Sequence, residues 1–341
     1  MKTTLKEIAE KTGLSISVLS RVASGNGYVS EDKRAKAEQA LSQYGYHRAL
    51  PHPTGMQLMD DVILVISGAT GNTYQEIIRR LTAAAHKASK KVLVAHTDYS
   101  NALEEEYLRF AQRMGVYGII MLSAPENRST AHLIRECQIP IVLVARYTSM
   151  TATDIVTQDS YEMGTLACEK FLAAGHTRLG YLGGHMESSI TRDKLLGYSD
   201  QMREAGLILA PEWTAYGALD YRSGTEYAKT LLAMEDAPTA LFISNDLMAV
   251  GLVDALLAAG VRIPQDLSLI CCDKTLSSDT YHVALDRLYI DWGDTAPTTM
   301  RLLNARRNDP TRPRRMVTFD TQYLPGETIA APRTRASLLP R

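Results

Sequence analysis

Over residues 1–60 the apolar positions recur at helical spacing in three short bursts, and from residue 62 the pattern changes to short continuous apolar runs separated by amphipathic stretches. Leu5, Ile8 and Ala9 form the stripe of a helix over roughly 5–11, with Thr4 as its cap and Glu7 as the capping-box partner. Thr12-Gly13-Leu14 reads as a tight turn in which Gly13 takes a positive φ. Ser15 caps a second helix whose Val18, Leu19 and Val22 face inward. After the loop Ser24-Gly25-Asn26-Gly27, Ser30 caps a third helix over roughly 31–44, with Ala37, Ala40, Leu41 and Tyr44 turned in. Two short helices joined by such a turn predict a helix-turn-helix; any small three-helix bundle is the alternative.

Further on, the runs VILVIS (62–67), VLVAHT (92–97), YGIIML (117–122) and IPIVLVAR (139–146) alternate with helical stretches near 72–89, 101–114 and 128–137. A second set follows: helix 160–174, RLGYLGG (178–184), helix 191–205, TAYGA (214–218), helix 222–233, ALFIS (240–244), helix 246–259 and LSLICC (267–272). Continuously apolar strands belong in a parallel sheet covered on both faces. The repeated rhythm predicts two doubly wound α/β lobes with a ligand between them. APTTMRLLNARR (296–307) reads as a helix of the first lobe and RMVTFDTQYL (315–324) as two short strands straddling both. Residues 325–341, with three prolines and three arginines, read as a poorly ordered tail. The expected division is a headpiece 1–46, a linker 47–61, a first lobe 62–158 with 293–317, a second lobe 159–292 with 318–333, and a tail 334–341.

Composition changes this picture in few places. The 341 residues are 45% apolar and 22% charged with a net charge of −1, ordinary for a globular chain. Residues 1–59 hold eight Lys/Arg against five Asp/Glu, a net of +3 that leaves about −4 on the rest, which is compatible with nucleic-acid contact by the first part. Cys137, Cys168, Cys271 and Cys272 form no CxxC pair and read as small buried hydrophobes in a reducing cytoplasm. Met1-Lys2-Thr3-Thr4-Leu5 leads straight into a helix with no apolar h-region, so no signal peptide is expected, and no apolar run suggests a membrane span. The histidines lack metal spacing, no nucleophile elbow or Ser–His–Asp order occurs, and no GxGxxG follows a strand. A catalytic site, a metal and a cofactor are therefore not expected.

The order of residues in LKEIAEKTGLSISVLSRVASGNGYVSEDKRAKAEQALSQYGY resembles the headpiece of the LacI/GalR family of bacterial transcription regulators, with Ile8-Ala9, Gly13-Leu14-Ser15, Val18-Leu19-Ser20-Arg21-Val22, Gly27-Tyr28-Val29-Ser30, Arg34 and Gly45-Tyr46 as matching elements. The resemblance continues over 62–292, most specifically in PTALFISNDLMAVGLVDALLAAGVRIPQDLSLICCD (238–273). It implies an all-α helix-turn-helix headpiece plus an α/β two-lobed periplasmic-binding-protein-like domain of doubly wound parallel sheets. A recognition helix enters the major groove N-terminus first, which offers Ile16 and Ser17 to base edges and Arg21 to guanine. Leu5, Ser15, Ser20, Asn26, Tyr28 and Ser30 complete the DNA-binding set, mostly as phosphate contacts, with capping and turn chemistry as the alternative role of the serines.

For the ligand the resemblance implies Asn245 and Asp273 as hydrogen-bonding groups, with helix capping as the alternative for Asn245, and Tyr74 and Trp292 as aromatic walls, with core packing as theirs. Lys194, or Arg192 beside it, stands where the family often has an arginine three residues before the Gly197-Tyr198 pair. Ala145 stands where many members have Asp, and Leu219 where many have an aromatic, which opens the ligand class to an acidic or phosphorylated sugar or to a ligand that is not a sugar. The linker, with Pro51, Pro53 and Gly55, lacks the family's hinge-helix pattern. Together these features predict a cytoplasmic, homodimeric regulator, a repressor that binds a near-palindromic double-stranded operator under control of a small effector such as a sugar. A solute-binding protein without DNA function is the main alternative and a sugar-processing enzyme the third reading.

Overall fold

The N-terminal periodicity is met by three helices in the computed structural model, which describes residues 5–24, 29–44, 59–68, 71–123, 127–274 and 282–338. They are α1 (Leu5–Thr12), α2 (Ile16–Ser24) and α3 (Glu31–Gln43). Ile8, Leu19, Ala37, Ala40 and Leu41 form their common core, with Leu14, Val18, Val22 and Tyr44 packed around it. Gly13, at φ 71°, turns the chain between α1 and α2, and the Thr12 hydroxyl closes α1 by donating to the Ile8 carbonyl at 2.7 Å. The expected cap Thr4, the loop residues Asn26 and Tyr28, the headpiece residues Gly45 and Tyr46, and linker positions 47–58 lie outside the described residues.

The body holds two six-stranded sheets. The first takes β1 (Val62–Ser67), β2 (Lys91–His96), β3 (Gly118–Met121), β4 (Ile141–Val144), β5 (Asp154–Gln158) and, from far along the chain, β11 (Met316–Phe319), in the order β11-β5-β4-β3-β1-β2 with every pair parallel. The second takes β6 (Leu179–Gly183), β7 (Thr214–Tyr216), β8 (Ala240–Ile243), β9 (Ser268–Cys272), β10 (Asp286–Tyr289) and β12 (Gln322–Leu324), in the order β12-β10-β9-β8-β6-β7, parallel except for antiparallel β12. Helices α4 (Asn72–Lys87), α5 (Asn101–Met114) and α6 (Arg128–Glu136) belong to the first lobe; α7 (Ser160–Ala173), α8 (Ser189–Glu204), α9 (Tyr221–Ala233) and α10 (Asp246–Ala258) belong to the second. α11 (Thr295–Asn308) returns to the first lobe, where Leu303 packs over Gly118 of β3. The chain thus crosses between lobes after β5, after β10 and between β11 and β12.

Two strands, β5 and β10, had no sequence signal, because polar residues interrupt them. In β5, Asp154 is fully buried and held by the Arg306 guanidinium through two 3.1 Å bonds and by the Arg315 amide at 2.8 Å. The reading of 325–341 as poorly ordered is corrected for the described part, 325–338. Thr328 is buried and bonds Leu269 O and Asp286, Arg333 donates to the carbonyls of Ala237, Pro238 and Asp266, Arg335 pairs with Asp266 at 2.7 Å, and Leu338 is buried. Arg333 and Arg335 are what tie this segment to the second lobe, and His176, bonded to Thr239, Ser268 and Ala330 O, sits beneath it.

In the second lobe, α7 and α8 meet backbone to backbone. A Cβ added at Gly164 would lie 2.1 Å from Lys194 O, and one at Gly197 would lie 2.0 Å from Tyr161 O. Such contacts cannot be relieved by a rotamer change, so the helices must separate. Gly197→Ala is expected to destabilise the chain by about 1–3 kcal/mol, read as a lower urea midpoint; an unchanged midpoint would show that the α7–α8 contact does not constrain the lobe.

Candidate functional site

Two places in the molecule present polar chemistry to a partner. The first is the leading turn of α2. Ser15 caps the helix, its hydroxyl 3.3 Å from Val18 N and 3.0 Å from the Ser17 hydroxyl. Val18 and Leu19 turn inward, and helical geometry then turns Ser15, Ile16, Ser17 and Arg21 outward, where all four are exposed. Ile16 is 49% exposed, a large apolar side chain at the open end of a helix whose other large apolar residues face the core. Ser30 is also exposed, while Ser20 and Leu5 are half-buried, Leu5 against the headpiece core.

The second is a cavity of about 350 Å³ between the lobes, at the C-terminal ends of the strands. The first lobe contributes Gly68, Asn72, Thr73, Tyr74, Asp98, Tyr99, Ala145 and Arg146; the second contributes Lys194, Leu219, Asp220, Asn245, Asp246 and Asp273, and Trp292 closes the crossover. Six non-glycine residues among those described have positive φ, and five of them line this cavity: Asp98 (47°), Tyr99 (60°), Ala145 (57°), Leu219 (63°) and Asp273 (79°). A left-handed conformation costs an L-residue roughly 1–2 kcal/mol, and its concentration at strand ends around one cavity marks a site that the surrounding fold holds in place.

The resemblance-based residues fare differently. Lys194 is buried on α8 and donates to Ser244 O at 3.1 Å. Asp273 follows β9, where burial pushes its carboxyl up, to about 6, against the opposing pull of Lys194, with Asp246 adding to the rise. Asn245 borders the cavity, but its carbonyl caps α10 at Met248 N (3.0 Å) and its amide donates to Leu219 O (2.8 Å), so the capping alternative is realised. Tyr74 and Trp292 line the cavity and also pack with the main core. Arg192 is corrected: it lies on the exposed face of α8 and donates back to Met186 O (3.1 Å) and Glu187 O (2.9 Å), away from the cavity. Two residues on from Arg192, Lys194 is rotated onto the buried face.

Sequence reasoning missed Arg146, Tyr99 and the interlobe pair Tyr147–Asp193. Arg146 is 5% exposed and donates through Nε and Nη2 to the Tyr74 hydroxyl (3.2 and 2.9 Å) and through Nη2 to the Tyr99 hydroxyl (3.0 Å). The Tyr99 phenol is pushed up to about 12, mainly by burial, so it is a neutral partner at physiological pH. A signal for Arg146 did exist, since it ends the buried run IPIVLVAR, at the strand terminus where such folds bind ligands. Across the lobes, the Tyr147 hydroxyl donates to Asp193, 2.9 and 2.8 Å from its two carboxylate oxygens, and the Tyr99 and His185 rings stand 5.4 Å apart. No helix of the described residues is long and apolar enough to cross a membrane, and none of their His, Cys, Asp or Glu side chains cluster to hold a metal.

Comparison with known proteins bears on both places. Residues 4–49 match the family described as bacterial regulatory proteins, lacI family, and residues 168–329 match a periplasmic binding protein-like domain. The chain is 25% identical over 323 residues to the HTH-type transcriptional repressor PurR of Photobacterium profundum, covering 94% of this chain and 97% of that protein. It is 28% identical over 286 residues to the HTH-type transcriptional regulator DegA of Bacillus subtilis (strain 168), covering 82% and 84%. Among solved structures, a transcriptional regulator CelR–cellobiose complex superposes with a TM-score of 0.73 at 22% identity, covering 96% of this chain and all of that one, which supports the fold. A LacI regulator from Bacillus cereus subsp. cytotoxis NVH 391-98 superposes with a TM-score of 0.74 at 20% identity, covering 80% and 99%.

The Tyr147–Asp193 contact is expected to hold the lobes together. Tyr147→Phe should lower stability by about 1 kcal/mol, discounted for the half-exposed carboxylate, and increase the radius of gyration in small-angle scattering. If neither quantity moves, the contact does not set the interlobe spacing.

Proposed function

Because the chain belongs to the LacI/GalR family of bacterial transcription regulators, we propose that it is a homodimeric repressor whose operator affinity is set by a small polar effector held between the two lobes. The observation that carries the DNA half is the exposed Ile16 at the leading turn of α2, beside the Ser15 and Ser17 hydroxyls and one turn before Arg21. An apolar side chain held in water there is suited to a thymine methyl, a serine to a donor or acceptor on a base edge, and an arginine one turn on to guanine O6 and N7. Ser15 and Ser30, exposed at helix starts, are suited to phosphate. One headpiece covers one half-site, so a near-palindromic operator calls for two copies. Edge strand β2 leaves Leu93 (43% exposed) and Val94 (40%) uncovered, and a second copy would bury them.

The effector half rests on the cavity. Its strained rim, its buried cations and its acids are drawn from both lobes. A ligand that bonds both walls favours the closed arrangement, adding to the Tyr147–Asp193 and Tyr99–His185 contacts. Coupling to the headpieces is then a linkage of about 1–3 kcal/mol, or roughly 5- to 150-fold in operator affinity. A cytoplasmic location accompanies this reading.

Selection of duplexes from a random pool should recover a two-half-site sequence, and Arg21→Ala should weaken its binding about 10-fold or more in a gel shift and relax preference at one position per half-site. Loss that is equal on every sequence would reduce Arg21 to a phosphate contact. For the effector recovered from a metabolite screen, Asp273 is the stronger, charge-assisted acceptor when ionised. Its raised pKa means that this charged acceptor is present above about pH 6 and is replaced below it by a neutral carboxyl, a weaker acceptor. Calorimetric affinity should therefore fall from pH 8 to about pH 5, and Asp273→Asn should flatten the profile at the weak end; a profile unaffected by that substitution would remove Asp273 from the site.

A further inference from the structure

The two walls of the cavity differ in what they leave unsatisfied. On the second lobe the charges have local partners or oppose one another. Asp220 caps α9, accepting from the Ser223 amide (2.8 Å) and hydroxyl (2.6 Å), and Lys194 stands among Asp246, Asp273 and the Ser244 carbonyl. On the first lobe Arg146 is buried, yet among the described residues its bonds run only to the phenols of Tyr74 and Tyr99. Those bonds use Nε and Nη2, and among the described residues Nη1 has no acceptor. Glu104, a buried acid, is felt by Arg146 at a distance but forms no ion pair with it, and burial raises its carboxyl pKa against the pull of Ser123 and Arg146. The adjoining start of α4, where Gly71 gives no side-chain cap and Asn72 and Thr73 border the cavity, adds the positive end of a sixteen-residue helix to the same wall. Among the described residues Asp98 is the one acid on this wall, and it sits at the exposed rim.

A buried guanidinium without a carboxylate is costly unless an anion is supplied, and planar NH donors match carboxylate and phosphate oxygens. We propose that the effector is a one-ring acidic polyol whose carboxylate or phosphate seats on Arg146 at the first-lobe wall, while its hydroxyls meet Asp273 and Lys194 at the second. The cavity, near the small end for ligand pockets, suits one ring. Ala145 and Tyr99 are both left-handed, at the loop starts from which Arg146 and Tyr99 line the cavity. The proposal rests on the cavity being the effector site.

The test is calorimetry on the full chain with matched compounds: glucose, glucuronate and glucose 6-phosphate; galactose, galacturonate and galactose 6-phosphate; ribose and ribose 5-phosphate. At least one acidic compound is expected to bind 10-fold or more tightly than its neutral parent, and the carboxylate and phosphate arms identify which anion fits. Arg146→Gln, checked for folding by circular dichroism, should cost that compound about 10- to 100-fold, with Arg146→Lys retaining part of the preference. Neutral parents binding as tightly as their acids, no acidic compound binding at all, or a folded Arg146→Gln that keeps the preference would each overturn the proposal. Neutral binding abolished by Asp273→Asn would do so while leaving the cavity as the effector site. Binding that neither Asp273→Asn nor Arg146→Gln alters would instead overturn the effector site itself.

Discussion

Two cations withdrawn from water into one interlobe cavity set the terms for the rest of the body. Taking a guanidinium or an ammonium out of solvent costs several kcal/mol unless partners replace the lost hydration. Lys194 is met by a carbonyl and by carboxylates from its own lobe, whereas Arg146 is met by two phenols. Placing those groups takes five residues in left-handed conformation at loop starts, a strain carried by two well-packed, mainly parallel sheets. The sheets tolerate it because their central strands are buried on both faces, as in β1, β3, β4, β8 and β9.

The same constraint explains why the second lobe uses glycines where its helices touch. α8 must lie close enough to α7 for Lys194 to reach under the strand ends, and the Gly164 and Gly197 contacts give that approach. The α9–α10 pair repeats the device, with Gly224 against Met248 O and Gly251 against Tyr221 O. Close helices leave the loops at the strand ends little freedom. The lobes themselves are joined by three chain crossings and by the contacts Tyr147–Asp193 and Tyr99–His185. A regulator needs its low-stability motion there and not within a lobe.

Much of this was legible in the amino-acid sequence. Helix spacing with Gly13 and Ser15 gave the helix-turn-helix, and continuous apolar runs gave the parallel strands, because both patterns report local burial. Resemblance brought Lys194, Asp273, Tyr74 and Trp292 to one cavity. It did not separate Lys194 from Arg192, because two residues along a helix point about 200° apart and only the packing of α8 on α7 decides which side is buried.

What the sequence determined by itself was the type and order of the elements, the exposed face of α2 and the class of regulator, all of which depend on neighbours within a few turns or on whole-chain similarity. What only the tertiary structure decided were properties of residues far apart in sequence. Asp154 lies in a buried strand because Arg306 reaches it, residues 325–338 are packed because Arg333 and Arg335 find carbonyls and Asp266, and Arg146 becomes a cavity residue because Tyr74 and Tyr99 converge on it. A charged side chain reads as solvated until its partner is known, and partners that distant are supplied by the fold.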